Sequence, residues 1–438
     1  MKRWNEKYHA KYKKHSLIDQ VYEPRNLENA FKAVRANHGA PGMDGETIEQ
    51  FEQQKDLRLA ELNRLLKENR YRPSPVLRVF IPKADGRTRP LGIPTVRDRV
   101  VQQALKNILE PIFEKIFLAG SYGYRPGKSA QQAIARAAGL INAGYRWVME
   151  TDIQSFFDKV EHDILLDLAN EQVSDGRVLK LIRWFLESGV MVGDELQETP
   201  IGTPQGGVIS PLLANIMLNH LDRRMGEEGY IITRYADDFL VHCKSRWDAE
   251  KALDKAKEIL GKELHLDLKP EKTRITQASA GVDFLSFRLG RTGNITVKPT
   301  RAAMEDYKQA VREKTHRGRT LSIRAVIQNL NPTIRGWGNY YSISNVTTWY
   351  KRTDAWTKVR LRSCILKRKA HGWDLMNYPG SFFDGMGLCT LASIVKGHPG
   401  IPPPKRVGGA KGSRASLLVG MTNARPRAVY GKSVSTVQ

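Results

Sequence analysis

This chain is poor in cysteine, in long apolar runs and, over its last third, in acid. Its 438 residues hold three cysteines, Cys243, Cys364 and Cys389. An odd number at such wide spacing makes neither a disulfide framework nor a zinc pattern. It suits a reducing compartment, with buried thiols as the expectation for most of them. No run of eighteen apolar residues occurs, so no membrane span or membrane partner is expected. The opening Met1-Lys2-Arg3-Trp4-Asn5-Glu6-Lys7-Tyr8 lacks an apolar core and does not read as a secretory signal, which makes a cytoplasmic location the expectation. The length suffices for two or three cored domains.

The shortage of acid is local. Net charge is +24, yet residues 301–438 hold 24 Lys/Arg against 6 Asp/Glu, while the first 300 hold 46 against 40. A polyanionic partner is implied, gripped mainly by the C-terminal third. Residues 401–438 have seven Lys/Arg, no acid and the run Pro402-Pro403-Pro404. That composition has little power to form a core and suits ordering on a nucleic acid. Residues 1–25 are basic and aromatic, and read equally as an RNA-contacting arm or a solvated tail.

Against this background one tetrapeptide stands out, Tyr235-Ala236-Asp237-Asp238, between the β-favouring runs Ile231-Ile232-Thr233 and Phe239-Leu240-Val241. Two adjacent carboxylates on an apolar hairpin repel one another, and a divalent metal would give the pair a purpose. A lone Asp-Asp is more often a solvated turn. The partner that shifts the balance is Asp152, ending the strand-like Trp147-Val148-Met149-Glu150-Thr151-Asp152, 85 residues before Asp237. One strand-end Asp with an Asp pair on a hairpin suits two-metal phosphoryl transfer. Carboxylates favour magnesium over softer ions.

Several ordered blocks extend the pattern. These include Gly39-Ala40-Pro41-Gly42-Met43-Asp44-Gly45, Ile81-Pro82-Lys83, Arg89-Pro90-Leu91-Gly92-Ile93-Pro94-Thr95, Ser121-Tyr122-Gly123-Tyr124-Arg125-Pro126-Gly127, Gly202-Thr203-Pro204-Gln205-Gly206-Gly207 and Phe284-Leu285-Ser286-Phe287. Lys83 and Arg89 flank a hairpin turn, pointing two cations one way as a triphosphate clamp needs; a solvated basic hairpin is the plain alternative. Glycines at 202, 206 and 207 permit close backbone approach to a ligand. Further on, helices are expected over 300–315, 321–330 and 348–370. In the last, Lys351, Lys358, Arg362 and Lys369 share a face, a basic ridge for a phosphate backbone or a solvated helix face. Between the second and third lies Arg335-Gly336-Trp337-Gly338-Asn339-Tyr340-Tyr341.

In these blocks the chain resembles the reverse transcriptases encoded by bacterial and organellar group II introns, in the compact form that lacks an endonuclease. The resemblance implies an α+β right-hand polymerase: α-rich fingers, a palm with an antiparallel sheet, and an α-helical thumb. Expected boundaries are 1–70 for a helical N-terminal extension, 71–298 for fingers and palm, 299–375 for thumb and maturase, and 376–438 for a basic tail, the candidate DNA-binding region. It implies RNA-directed DNA synthesis from deoxynucleoside triphosphates on an RNA template and DNA primer, with two magnesium ions held by Asp152, Asp237 and the Ile153 carbonyl, supported by Asp238. Phe157 would lie under the sugar, Gln205 against the incoming nucleotide, and Lys272 near the triphosphate. Arg335 belongs to the thumb signature. Intron RNA and target DNA are the further partners, for splicing and target-primed mobility, in a ribonucleoprotein or at the nucleoid. Many relatives carry a His-Asn-His nuclease with paired cysteines; its residues are not found here, and second-strand cleavage is not expected. Two other readings stay open, a bacterial reverse transcriptase recruited to phage defence or CRISPR spacer acquisition, and a splicing-only maturase.

Overall fold

The computed structural model describes residues 16–396 apart from 83–85, 87, 194, 200, 204–205, 292 and 319. Lys83, Gln205, most of the basic arm and the tail of 401–438 therefore lie outside the described residues. Eleven strands are described: β1 (Val76–Pro82), β2 (Thr88–Ile93), β3 (Trp147–Asp152), β4 (Val190–Val192), β5 (Glu195–Gln197), β6 (Ile231–Tyr235), β7 (Asp238–Cys243), β8 (Arg274–Gln277), β9 (Val282–Phe284), β10 (Phe287–Arg291) and β11 (Ile295–Pro299). They form three sheets, in the orders β2-β1-β4-β5, β6-β7-β3-β8 and β11-β10-β9.

The second sheet is antiparallel throughout and is buried on both faces. Strand alternation divides its side chains between two cores. Val148 and Leu240 join Ile134, Ala137 and Ile141 of the helix Ala130–Asn142 on one side. Met149, Phe239 and Val241 join Ala249, Ala252 and Ile259 of the helix Arg246–Glu263 on the other. A sheet so covered tolerates no one-residue slip, because a slip would exchange the two cores. Its register is thus fixed, and the strand-end carboxylates with it.

The N-terminal helices form as their patterning requires. In Pro24–Ala36, Leu27, Ala30, Phe31 and Val34 are buried at i, i+3, i+4 and i+7, packed towards the helix Val96–Phe113. The helix Ala130–Asn142 starts in a reciprocal capping box between Ser129 and Gln132.

The C-terminal helices depart from expectation in two places. Arg301–Lys314 lies where predicted, but the next helix, Ile323–Tyr340, does not stop at 330. It continues past Pro332 and contains the Arg335–Tyr340 motif expected between helices. Gly338 in this extension serves packing: a Cβ there would come 2.8 Å from the Ile394 side chain, so glycine lets the helix Leu391–Lys396 approach. The third helix, Thr347–Leu366, ends early because Lys367 adopts a left-handed conformation at φ 54°. The core of this bundle runs on through Phe383, Leu391 and Val395, past residue 375 where the sequence reading ends it. Among the described residues no helix is long and apolar enough to cross a membrane.

Candidate active site

The hairpin β6–β7 and the end of β3 bring three aspartates together. Asp152 pairs with Asp238 across β3 and β7, and Tyr235 pairs with Asp238 across the hairpin. Only Ala236 and Asp237 form the turn. Ala236 sits at φ 58°, a conformation that costs an L-residue about 1 kcal/mol or more, so something must hold it there.

That restraint is Arg234, whose side chain is fully buried. Its guanidinium makes a bidentate ion pair with Asp222, at 2.7–3.0 Å. It also donates to Asn215 Oδ1 at 3.0 Å and to the Ala236 carbonyl at 2.9 Å. Asn215 donates in turn to the Gly123 carbonyl at 2.8 Å. Gly123 lies under the turn so closely that a Cβ would stand 2.3 Å from the Ala236 nitrogen. The sequence reading missed Arg234, Asp222 and Asn215 as a unit. The available signal was a lone arginine inside an apolar strand, which must find a buried partner.

Asp152 is fixed from the other side. Its carbonyl accepts from Lys269 N at 2.8 Å, and Ile153 bridges to Leu268. The short helix Pro270–Lys272 follows, tied down by Thr273, whose hydroxyl meets that of Thr151 at 2.8 Å. This turns the Lys272 ammonium onto the Asp152 carboxylate. Partial burial by itself would lower the Lys272 pKa, but its bond to Asp152 and the fields of Asp238 and Asp237 outweigh that and raise it.

The remaining carboxylates show the strain of proximity. Burial, then the neighbouring Asp152, raise Asp237 and push Asp238 up to about 7. Among the described residues no group of three or more His, Cys, Asp or Glu is arranged to hold a metal ion as it stands. The donors nevertheless fit a hard divalent cation: they are carboxylate oxygens, they repel one another, and the lysine at Asp152 supplies part of the positive charge they call for.

Around this centre the other predicted residues separate. Phe156 is core, while Phe157 is half-buried and meets it edge-on at 5.3 Å. Phe157 lines a cleft of about 90 Å³ with Arg78, Gly92, Gly202 and Thr203. The loop bearing Gly202 is docked there by Thr203 N to the Phe157 carbonyl at 2.7 Å and Gly202 N to the Val160 carbonyl at 2.8 Å. Arg89 is exposed on β2, opposite Ile81. The fields of both Arg89 and Asp237 reach Tyr124.

The expected basic ridge does not form as a stripe. Lys351 is exposed, but Lys358 pairs with Asp384 at 2.8 Å. Arg362 is buried, donating to the Tyr378 carbonyl at 2.7 Å beneath the Phe383 ring. Lys369 lies beyond the helix end. The covering residues Tyr378, Phe383 and Asp384 come from a segment that helical periodicity could not place. Arg335 is exposed and donates to Cys389 Sγ at 3.1 Å. Trp337 is an internal anchor, 4.9 Å from Tyr307 and 4.3 Å from Tyr341.

Comparison with known proteins adds to this geometry. Residues 81–289 match the family described as reverse transcriptase (RNA-dependent DNA polymerase), and residues 304–378 match the group II intron, maturase-specific domain. Protein YkfC of Escherichia coli (strain K12) is 33% identical over 315 residues, covering 63% of this chain and 83% of YkfC. Group II intron-encoded protein LtrA of Lactococcus lactis subsp. cremoris is 31% identical over 335 residues, covering 61% of this chain but only 55% of LtrA. A chain of the solved "Partial Cas6-RT-Cas1--Cas2 complex" is similar at 25% identity over 57% of this chain and 43% of that one, with a TM-score of 0.36. Two family matches in tandem, over a palm that gathers three aspartates on one hairpin and one strand end, lead to one conclusion: the chain belongs to the reverse transcriptases, RNA-directed DNA polymerases, in the branch that group II introns encode together with a maturase domain.

Proposed function

We propose that this chain extends a DNA primer on an RNA template at Asp152, Asp237 and Asp238, and that it also binds its host intron RNA, assists its splicing and copies it during target-primed mobility. The observation that carries the polymerase part is the convergence of the three carboxylates, two on the β6–β7 hairpin and one at the end of β3, with Lys272 at Asp152. Asp152, Asp237 and the Ile153 carbonyl would hold two magnesium ions, with Asp238 in support. Bound there, the ions would activate the primer 3′-hydroxyl and stabilise the departing pyrophosphate. The residues of this chain do the positioning. Arg234 holds the turn, and Phe157 and the Gly202–Thr203 loop shape the cleft beside the sugar. Arg89 carries positive charge on the finger hairpin for the triphosphate. Lys272, held at the Asp152 carboxylate, supplies positive charge beside the place where the triphosphate would lie.

The maturase role is supported by the match over 304–378 and by the charge of the C-terminal third. The domain division follows the same lines: an N-terminal helical extension, fingers and palm, a thumb with maturase function, and a basic tail. Asp237→Asn tests the site. It keeps the size of the side chain and removes one charge. Primer extension should be lost while intron RNA binding and splicing assistance persist. Extension near the parental rate would refute the metal assignment.

A further inference from the structure

The segment after the helix Thr347–Leu366 buries its residues in inverted order. In Trp373-Asp374-Leu375-Met376 the carboxylate is 3% exposed, whereas Trp373 is 71%, Leu375 50% and Met376 88% exposed. An acid goes inside and three large apolar groups go out, which reverses the usual preference. The inversion is built in. Asp374 accepts two bonds from the Arg368 guanidinium, at 2.8 and 3.0 Å, and one from His371 N at 2.6 Å. These bonds close a compact loop on its one acid and leave the apolar side chains outside.

The same loop is positive. Lys367, Arg368 and Lys369 precede it and are exposed. The only acid among residues 367–378 is the buried Asp374, already engaged by Arg368. The Arg368 guanidinium also lies 5.8 Å from the Trp373 ring. An outward aromatic face bordered by cations, without exposed carboxylates, matches the chemistry of unpaired nucleic acid: bases stack on the ring and phosphates meet the lysines. Like charge opposes two other occupants. Residues 397–438 contain no acid, and a second copy would bring the same positive loop.

We propose that Trp373, with Leu375 and Met376 beside it and Lys367 and Lys369 at its border, is a stacking platform for a single-stranded segment of the intron RNA. This rests on the nucleic-acid reading given above and adds to it a site on the maturase domain, at the opposite end of the helix Thr347–Leu366 from Trp349.

The test uses the full-length protein, fluorescence anisotropy and a labelled unpaired RNA, with the same sequence as single-stranded DNA and as an RNA duplex. Trp373→Ala should weaken unpaired RNA binding about tenfold, as the loss of one stacked base does. It should barely change duplex binding, and it should leave the salt dependence unaltered because no charge is removed. Trp373→Phe should restore most of the affinity. Joint replacement of Lys367 and Lys369 by Gln should flatten the slope of log affinity against log salt by up to about 0.7 per lost contact. The side chain is exposed, so folding should survive each change. Parental affinity in Trp373→Ala overturns the proposal. So does equal weakening for duplex, equal weakening in Trp373→Phe, a preference for the DNA strand, or a Trp373-dependent self-association that marks the patch as a protein interface. Primer extension by each variant separates the readings: if extension stands while the platform fails, only the platform is wrong.

Discussion

The Tyr340 hydroxyl donates a 3.0 Å hydrogen bond to the Leu285 carbonyl. One partner belongs to the Arg-Gly-Trp-containing helix of the maturase domain, the other to the turn between β9 and β10. Leu285 and Ser286 both have positive φ, 49° and 62°, which is the geometry of a type I′ hairpin turn built without glycine. The turn is held from outside, by Tyr340 and by Thr300 N to the Ser286 carbonyl at 2.9 Å. Burial, then the neighbouring Tyr341, Tyr235 and Asp238, push Tyr340 up to about 12, so its hydroxyl feels the charge of the β6–β7 hairpin. The maturase helix thus buttresses the turn that resembles a primer grip.

Removing that hydroxyl is the cleanest perturbation of this contact. Tyr340→Phe keeps the ring against Phe287, 5.5 Å away, and should cost about 1 kcal/mol of stability. Grip on the primer should loosen, so the products of single-encounter extension shorten while nucleotide affinity holds. Product lengths equal to those of the parent would show that the turn needs no such support.

Arg234 offers a harsher test. Arg234→Met leaves Asp222 charged and buried without its partner, a change that costs about 3–5 kcal/mol. Arg234→Lys keeps the charge but cannot span Asp222, Asn215 and the Ala236 carbonyl together. The lysine variant should remain folded and lose turnover more than template affinity, since the turn that carries Asp237 loosens. Thermal melting and primer-extension kinetics measured together decide between a purely structural arginine and one that positions the turn.

The acidic cluster should make the metal-free protein sensitive to pH. Burial pushes both Asp238 and Glu150 up to about 7. The folded state therefore binds these protons more tightly than the unfolded chain, and stability falls as pH rises from the ordinary carboxylate range towards 7. Magnesium bound at these carboxylates would relieve the repulsion, so it should raise the melting temperature more at pH 8 than at pH 5. Asp238→Asn should flatten the metal-free profile. A magnesium shift as large at pH 5 as at pH 8 would contradict this.

Sugar choice should follow the contrast between the two phenylalanines. Phe157→Val opens the cleft beside Gly202, and ribonucleotide incorporation should improve roughly tenfold relative to deoxyribonucleotide. Phe156→Ala should cost about 3–5 kcal/mol through a core cavity without that gain in selectivity. Unchanged discrimination in Phe157→Val would place the sugar contact elsewhere.

The candidate site was legible in the sequence because its parts are local. A strand that ends in Asp152, a two-residue turn and its flanking β-runs each declare themselves within a few residues. The covered palm sheet then leaves them one register. The thumb was less legible. Helical periodicity gave Lys351, Lys358, Arg362 and Lys369 a shared face, but periodicity cannot see what packs on that face.

By itself the sequence determined the fold class, the order of the blocks and the candidate carboxylates, since these depend on short patterns and on charge. Tertiary structure alone decided which charges are free to act. Arg362 is consumed under Phe383 and Tyr378, Lys358 by Asp384, and Arg234 by Asp222. Those partners lie 12 to 26 residues away along the chain, and a buried charge is settled by whatever reaches it in space rather than by its neighbours in sequence.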